Sequence, residues 1–200
     1  MAWALDLKNL HDEALTRWSA DETGDAESEK DLESLIIAQH YCNFCLWNFE
    51  DEARRRDVDD SYIAGVKRDI DAWNQKRNDR IERIDERILS DLEKRINPDA
   101  DLHSETAGMM IDRLSILALK IFHMGRNASR EDDPVLAAEC ASKLEVLERQ
   151  RGDLLFCLER LLEDCHSGRR RYKLYRQFKA YNDERLNPAL RPREDEVAER

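Results

Sequence analysis

The sequence predicts an all-α fold, an antiparallel helical bundle of about five to six helices. Charged residues make up 38% of the 200 residues, whereas glycine occurs six times and proline four times, too few for the many turns of an all-β fold. Apolar residues recur every three or four positions, and strand-like alternation never extends beyond a few residues. Because the predicted connections are short, neighbouring helices are expected to run antiparallel.

The first three helices are predicted from this periodicity and from their end signals. Helix one covers residues 4–19, and helix two runs from about residue 31 to residue 56. Helix three begins near Asp59 and continues through residue 96. The dipeptide Asn-Pro at 97–98 ends it, because the residue before a proline avoids the helical conformation.

The next two helices also carry recognisable ends. Helix four begins after Ser104, its predicted N-cap, and extends to about Arg126. The dipeptide Asp-Pro at 133–134 combines a capping residue with a proline suited to the first helical turn, so it predicts the start of helix five. That helix runs to about His166, where the dipeptide Ser-Gly at 167–168 stops it.

Three segments are predicted along the chain. Residues 1–30 are an N-terminal helix and a mobile acidic linker, residues 31–190 are the helical bundle domain, and residues 191–200 are a charged tail. Residues 20–30 contain no apolar residue larger than alanine, which favours a linker. A sixth helix, over residues 169–182, is expected before the tail.

Charge and cysteine content restrict the partners and the compartment. The formal net charge of −11 argues against nucleic-acid binding, which requires a basic surface. No apolar run reaches the length of a membrane span and the N terminus lacks an export signal, so a cytoplasmic location is expected. Five cysteines, an odd number, fit reduced thiols better than a disulfide framework. Cys42 and Cys45 form a single CxxC within an apolar helical run, which favours core packing.

Helix four combines an apolar circumference with charged groups. Residues 109–124, MMIDRLSILALKIFHM, are apolar around most of the helix, as in a central helix packed on several sides. At roughly 100° per residue, the polar side chains fall within about a third of the circumference. They are Asp112, Arg113, Lys120 and His123. The segment therefore forms either a narrow solvent-exposed polar stripe on a buried helix or one wall of a polar site.

Arg77 lies near the middle of the apolar stripe of helix three, with Asn74, Asn78 and Asp85 beside it. An arginine at a core position normally needs a carboxylate or a ligand for its five donors. Alternatively, only its aliphatic stem is buried and its head reaches solvent. The neighbouring asparagines favour a paired, buried arginine.

Helix two carries a narrow polar strip on an otherwise apolar surface. The strip contains His40, Asn43, Trp47, Asp51 and Arg54, with Glu50 at its margin. Spacings of three and four residues place these side chains on one face. The strip could simply face solvent, but a tryptophan between a histidine and a carboxylate favours a partly covered strip, as in a binding cleft.

Familiar catalytic patterns are not predicted. Di-iron bundles need two Glu-x-x-His pairs, and the sequence contains one, at 163–166. A Ser-His-Asp arrangement of Ser115, His123 and Asp112 fails because the serine and the histidine are eight residues apart on one helix. A magnesium site is a weaker alternative, since acidic residues are common on exposed helix faces. Its candidates are Glu50, Asp51, Asp79, Glu82 and Asp85. No metal ligand is assigned, and the cofactor stays open.

Four long, ungapped strings carry a family resemblance. They are LWNFEDEAR (46–54), KRDIDAWNQKRNDRIERID (67–85), SETAGMMIDRLSILALKIFHM (104–124) and YRQFKAYNDERLNP (175–188). They resemble the bacterial domain of unknown function family 4254, over about residues 33 to 190. The resemblance implies an all-helical cytosolic protein and no particular activity, cofactor or catalytic residue. Occurrence of the family near genes for cell-envelope glycosylation points to sugar or nucleotide-sugar metabolism.

The leading hypothesis is a polar pocket among helices two to four that binds or processes a small polar or phosphorylated metabolite, related to sugars or nucleotides. The candidate catalytic residues are His40 and His123, which titrate nearest neutral pH, and Asp112. The candidate ligand-binding residues are Asn43, Trp47, Glu50, Asp51, Asn74, Arg77, Asn78, Arg113 and Lys120.

The alternative is a non-enzymatic structural or adaptor protein that docks a protein partner. In that case the polar stripes are salt bridges between helices. A concave cavity lined by the candidate residues would favour the pocket, and a flat apolar patch would favour the adaptor. The wide apolar faces also suit a homodimer, an expectation that rests on composition alone.

Overall fold

A computed structural model describes residues 5–20, 29–95, 97–178 and 183–190. That part of the chain contains five α-helices and two strands of two residues each, which confirms the predicted all-α class. The helices are α1 (Leu7–Ser19), α2 (Leu32–Glu52), α3 (Asp60–Leu92), α4 (Ala107–Ala128) and α5 (Pro134–His166). The predicted linker residues 21–28 and the predicted tail 191–200 lie outside the described residues.

Side-chain caps fix the starts of the helices. The carboxylates of Asp31, Asp59 and Asp133 each accept a hydrogen bond from a backbone N–H in the first turn of α2, α3 and α5, so these predicted starts are confirmed. The prediction for α4 is wrong by two residues: Thr106, not Ser104, accepts the N–H of the first turn. The extended segment that precedes this cap, residues 101–103, pairs with residues 170–171.

A sixth helix was predicted over residues 169–182. For the described residues 169–178 this prediction is wrong. Strand β2 (Arg170–Arg171) pairs in parallel with β1 (Asp101–Leu102), and residues 172–178 are not helical. Gly168, at φ 70°, ends α5 and lets the chain turn towards the loop after α3. The last residues of the predicted helix, 179–182, lie outside the described residues.

The predicted central position of helix four is confirmed. α4 packs against each of the other four helices. Its apolar residues Ile111 and Leu114 are buried in a core shared with Ile36 of α2, Ile84 of α3 and Leu158 of α5. This packing surrounds α4 and brings its polar residues against α2 and α3.

Helix α1 adds a second apolar cluster at the other end of α4. Ala14, Leu15 and Trp18 are buried there against Ala118 and Leu119. The helix also carries His11 into the interior, where it is 2% exposed. Among the described residues, every helix is too short or too polar to cross a membrane.

Candidate functional site

Asp112 is the centre of a polar network inside the bundle, where it is only 5% exposed. Its Oδ1 accepts hydrogen bonds from Gln39 Nε2 at 2.6 Å and Asn43 Nδ2 at 2.9 Å, both on α2. Arg77 of α3 donates from Nε to the same oxygen at 2.7 Å and from Nη2 to Oδ2 at 2.5 Å. The carboxylate thereby joins three helices, and the hydrogen bonds described here come from α2 and α3 and not from its own helix.

Arg77 is a paired, partly buried arginine, as its place in the apolar stripe predicts. Its side chain is 25% exposed, and the hydrogen bonds to Asp112 raise its pKa above the ordinary value. Nε and Nη2 engage the carboxylate, whereas Nη1 has only a long contact of 3.5 Å to Asn74 Oδ1 among the described residues. One edge of the guanidinium therefore retains donors for another acceptor.

A second polar layer lies behind Asp112. Ser115 Oγ accepts a hydrogen bond from Asn43 Nδ2 at 2.8 Å and lies 2.6 Å from His40 Nδ1. The ring of His40 packs on that of His11, with centroids 4.4 Å apart. The serine thus pairs with a histidine of α2, although the sequence suggested testing it against His123 on its own helix.

Burial keeps both histidines of this layer neutral at neutral pH. Desolvation lowers the pKa of His11 to about 4 and holds the pKa of His40 well below its ordinary value; for His40, the neighbouring His11 acts in the same direction. His40 is completely buried. The structure therefore assigns this predicted catalytic residue to the interior, away from the clefts described next.

A cleft of about 430 Å³ opens between α2, α3 and α4, next to the exposed edge of Arg77. We call it the Arg77 cleft. Six of the predicted ligand-binding residues line it: Asn43, Trp47, Glu50, Asp51, Asn74 and Arg77. Leu46, Arg54, Ile116 and Leu119 complete the lining. Arg54 pairs with Glu50 at 2.8 Å.

A larger cleft of about 680 Å³ lies between α2, α4 and α5, and we call it the His123 cleft. Its lining residues are Trp47, Lys120, His123, Met124, Asn127, Ser142, Lys143, Val146 and Leu147. The rings of Trp47 and His123 stack almost parallel, at 5°, with centroids 4.4 Å apart. Burial lowers the pKa of His123, and the nearby Asp51 partly opposes this effect. Because Trp47 lines both clefts, they are neighbours.

The predicted site residues are therefore not all brought together. Lys120 and His123 line the His123 cleft, and Asp112 lies beneath the Arg77 cleft. Arg113 is more than half exposed and donates to both carboxylate oxygens of Glu105, each at 2.9 Å. Asn78 lines neither cleft. Arg113 and Asn78 therefore lie outside the lining of both clefts.

Gln39 is the member of the network that the sequence reading missed. It is completely buried, and its Oε1 has no hydrogen-bond partner within the described part of the chain. The available signal was its spacing of four residues from Asn43, which places both amides on one face of α2. The sequence pattern did not identify this face as polar because the residues around Gln39 are mostly apolar.

A second buried carboxylate is that of Asp85. This residue belongs to α3, and its side chain contacts the start of α4. It is 2% exposed, accepts the N–H of Gly108 at 2.7 Å and accepts a hydrogen bond from the Thr106 hydroxyl. Burial raises its pKa to about 6, although both hydrogen bonds act in the opposite direction. Its place at the helix start identifies a structural cap.

Metal and disulfide chemistry receive no geometric support from the described residues. No group of three or more histidine, cysteine, aspartate or glutamate side chains there is arranged to hold a metal ion. The five cysteines form no disulfide bond. Cys42 of the CxxC pair is buried, and its Sγ accepts a hydrogen bond from Arg80 at 2.8 Å. Its packed position agrees with the role predicted from the apolar run.

The fold and the site define an all-helical protein in which a buried arginine–carboxylate network supports a surface cleft. The chain belongs to the family described as protein of unknown function (DUF4254), whose model matches residues 33–174. The match confirms the family resemblance, and it leaves α1 and the string at 175–188 outside the matched segment. No curated protein and no solved structure matches the chain.

Proposed function

We propose that the chain is a binding protein for a small polar metabolite rich in hydroxyl groups, of the sugar or sugar-derived kind, and that the Arg77 cleft holds it. The observation that carries the proposal is the orientation of Arg77. Asp112 fixes two of its nitrogens, while Nη1 keeps donors at the cleft. A donor held in place before the ligand arrives lowers the entropic cost of binding.

The rest of the lining supports a ligand that both donates and accepts hydrogen bonds. The carboxylates of Glu50 and Asp51 are acceptors, Asn74 carries both kinds of group, and Trp47 offers an apolar ring. Hydroxyl groups match such mixed partners, and the C–H faces of a sugar ring can pack on an indole. A multiply charged phosphate fits less well, because Glu50 and Asp51 balance the charges of Arg54 and Arg77 and leave the lining without an excess of positive charge.

The proposal is limited to binding. His40 is buried behind the Arg77 cleft and His123 lines the neighbouring one, so neither histidine among the candidates lines the proposed ligand site. A proton-transfer residue must come within hydrogen-bond reach of the reacting group. A concave cleft lined by six candidate residues also supports ligand binding over the adaptor alternative.

Asn74 and Asn78 provide a matched pair of variants for the test. They lie one turn apart on α3, but only Asn74 lines the cleft. We expect neutral sugars, within a panel that also contains sugar phosphates, nucleotides and divalent metals, to raise the melting temperature of the wild-type protein. A ligand that binds only the folded state has this effect. For a sugar that does so, calorimetry should give a Kd about tenfold or more weaker for Asn74→Leu and unchanged for Asn78→Leu.

Two results would contradict the proposal. One is the absence of any shift with the neutral sugars at millimolar concentration. The other is an equal loss of affinity in both asparagine variants, since a general disturbance of α3 would produce it. Far-ultraviolet circular dichroism of the unliganded variants checks that the helices remain folded.

A further inference from the structure

The His123 cleft has a charge that differs from that of the whole chain. The chain carries a net charge of −11, yet the ionisable residues that line this cleft are Lys120, Lys143 and His123, without a carboxylate. Two acidic groups outside the lining act on its residues: Asp51 on His123, and Glu139, on the same helix, on Lys143. The cleft is therefore a cationic surface in an acidic protein.

Both lysines are available to a ligand. Lys120 is exposed and has no ion-pair partner among the described residues. Lys143 Nζ lies 3.9 Å from Glu139 Oε2, and both side chains are more than half exposed. An exposed pair of this kind contributes little to stability, so an anion can replace it at low cost.

The remaining lining is largely apolar and includes an aromatic wall. Met124, Val146 and Leu147 line the cleft together with the stacked rings of Trp47 and His123, and Val146 is 43% exposed. The volume of about 680 Å³ is within the usual range for small-molecule sites. Covering this apolar surface would be favourable, and an aromatic body matches a wall of flat rings.

We propose that the His123 cleft is a second binding site, and that it takes an aromatic organic anion. The carboxylate, sulfonate or phosphate of such a ligand contacts Lys120 and Lys143, while its aromatic body packs along Trp47, His123 and the aliphatic side chains. The site is independent of the proposed function, because Trp47 is the single residue that the two clefts share.

The probe for the test is 8-anilinonaphthalene-1-sulfonate, an aromatic anion whose fluorescence rises in apolar surroundings. Its uncharged analogue N-phenyl-1-naphthylamine has the same aromatic body without the sulfonate. We expect the sulfonate to bind the full chain with one saturable site and at least tenfold tighter than the analogue. High salt should weaken this preference, since it screens the exposed lysines.

The variant Lys120→Gln/Lys143→Gln should weaken sulfonate binding about tenfold or more and leave binding of the uncharged analogue unchanged. Lys67→Gln is the matched control, because Lys67 is an exposed lysine of α3 that lines neither cleft. A third variant, Val146→Trp, fills the cleft and should reduce binding of both probes. The melting temperatures of the variants must equal that of the wild type, because partly unfolded chains also bind this dye.

Equal affinity for the two probes, or unchanged sulfonate binding in the double lysine variant, would overturn the proposal. Binding at many weak sites would overturn it as well. The result can be separated from that for the Arg77 cleft: Asn74→Leu should leave sulfonate binding intact, and the lysine variant should leave sugar binding intact.

Discussion

Two buried carboxylates, those of Asp112 and Asp85, are stabilised in different ways. Both are almost inaccessible to solvent, with exposures of 5% and 2%. Asp112 is matched by the guanidinium of Arg77, whereas Asp85 accepts an amide and a hydroxyl at the start of α4 and has no ion-pair partner within the described residues. Asp112 thus has a cation beside it, whereas the hydrogen bonds that Asp85 accepts at the start of α4 offset only part of the cost of burying its charge, as its raised pKa indicates.

The difference has a consequence for what each site can do. The pair of Asp112 and Arg77 leaves guanidinium donors directed away from the carboxylate, so it can contact a ligand. The Asp85 site uses its oxygens internally, on Gly108 and Thr106. We therefore expect substitutions at the first site to change both stability and binding, and substitutions at the second to change stability alone.

The largest expected effect comes from Arg77→Met, which removes the cation and leaves the Asp112 carboxylate buried. Breaking a buried ion pair in this way costs about 3–5 kcal/mol. Since Gln39 and Asn43 still donate to Asp112, we expect a loss near the lower end of this range, about 3 kcal/mol, in the free energy of unfolding measured with urea. Sugar binding should be lost as well.

Arg113→Met is the matched control for that experiment. Arg113 also forms an ion pair, with Glu105, but its side chain is 57% exposed, so the expected change is about 0–1 kcal/mol. Adding Asp112→Asn to Arg77→Met should recover part of the lost stability, because it removes the unpaired charge and keeps an oxygen that can accept from Gln39 and Asn43. If Arg77→Met were as stable as the wild type, the buried pair would not hold the three helices together.

The second prediction concerns the close contact at the Asp85 site. A Cβ at position 108 would lie 2.7 Å from Ile81 O and 2.9 Å from Asp85 Cγ, so α4 has to move away from α3 in Gly108→Ala. We expect a loss of about 1–3 kcal/mol in the free energy of unfolding. In Gly152→Ala the new methyl group has no atom within 4 Å, and a gain of about 0.5–1 kcal/mol is expected from helix propensity. A gain in both variants would contradict the close packing.

Local signals made much of the fold predictable. The starts of α2, α3 and α5 were predictable because a cap depends on the residue itself and on the next three along the chain. The apolar girth of α4 likewise predicted its central position. The segment after Gly168 was not predictable, because its pairing with residues 101–102 depends on contacts far apart in the sequence.

The candidate site was also only partly predictable from the sequence. The pattern predicted a partner for Arg77 but did not identify it, because periodicity does not give the rotation of one helix against another. Asp112 and Arg113 are adjacent and share a broad face, yet one is buried against α3 and the other pairs with Glu105 in solvent. Gln39 was not predicted as part of the site because its neighbours in the sequence are mostly apolar.

The third prediction concerns Asp85→Asn, whose expected effect is smaller than those of Arg77→Met and Gly108→Ala and whose pH dependence distinguishes the two carboxylates. The pKa of Asp85 rises from 3.8 to about 6 on folding, so the folded protein binds more protons than the unfolded chain between these values. The contribution of Asp85 to stability is therefore fully present below pH 3.8 and is lost as the pH rises through about 6. At pH 7.5 the wild type buries a charge that asparagine does not carry, and the variant should be more stable by about 1–2 kcal/mol.

The difference between the wild type and Asp85→Asn should then shrink as the pH falls from 7.5 to 4.5, because Asp85 becomes protonated in the wild type. Asp91→Asn, on the exposed side of the same helix, is the matched control. His11 also affects stability: because its pKa is about 4 in the folded protein, the protein becomes less stable as the pH falls from 6.5 towards 4. This effect is the same in the wild type and the variant, so it cancels in the difference between their free energies of unfolding. A difference that is constant across this range would mean that the carboxylate at the start of α4 is stabilised as well as an ion pair would be, and that Asp85 and Asp112 do not differ in the way their surroundings indicate.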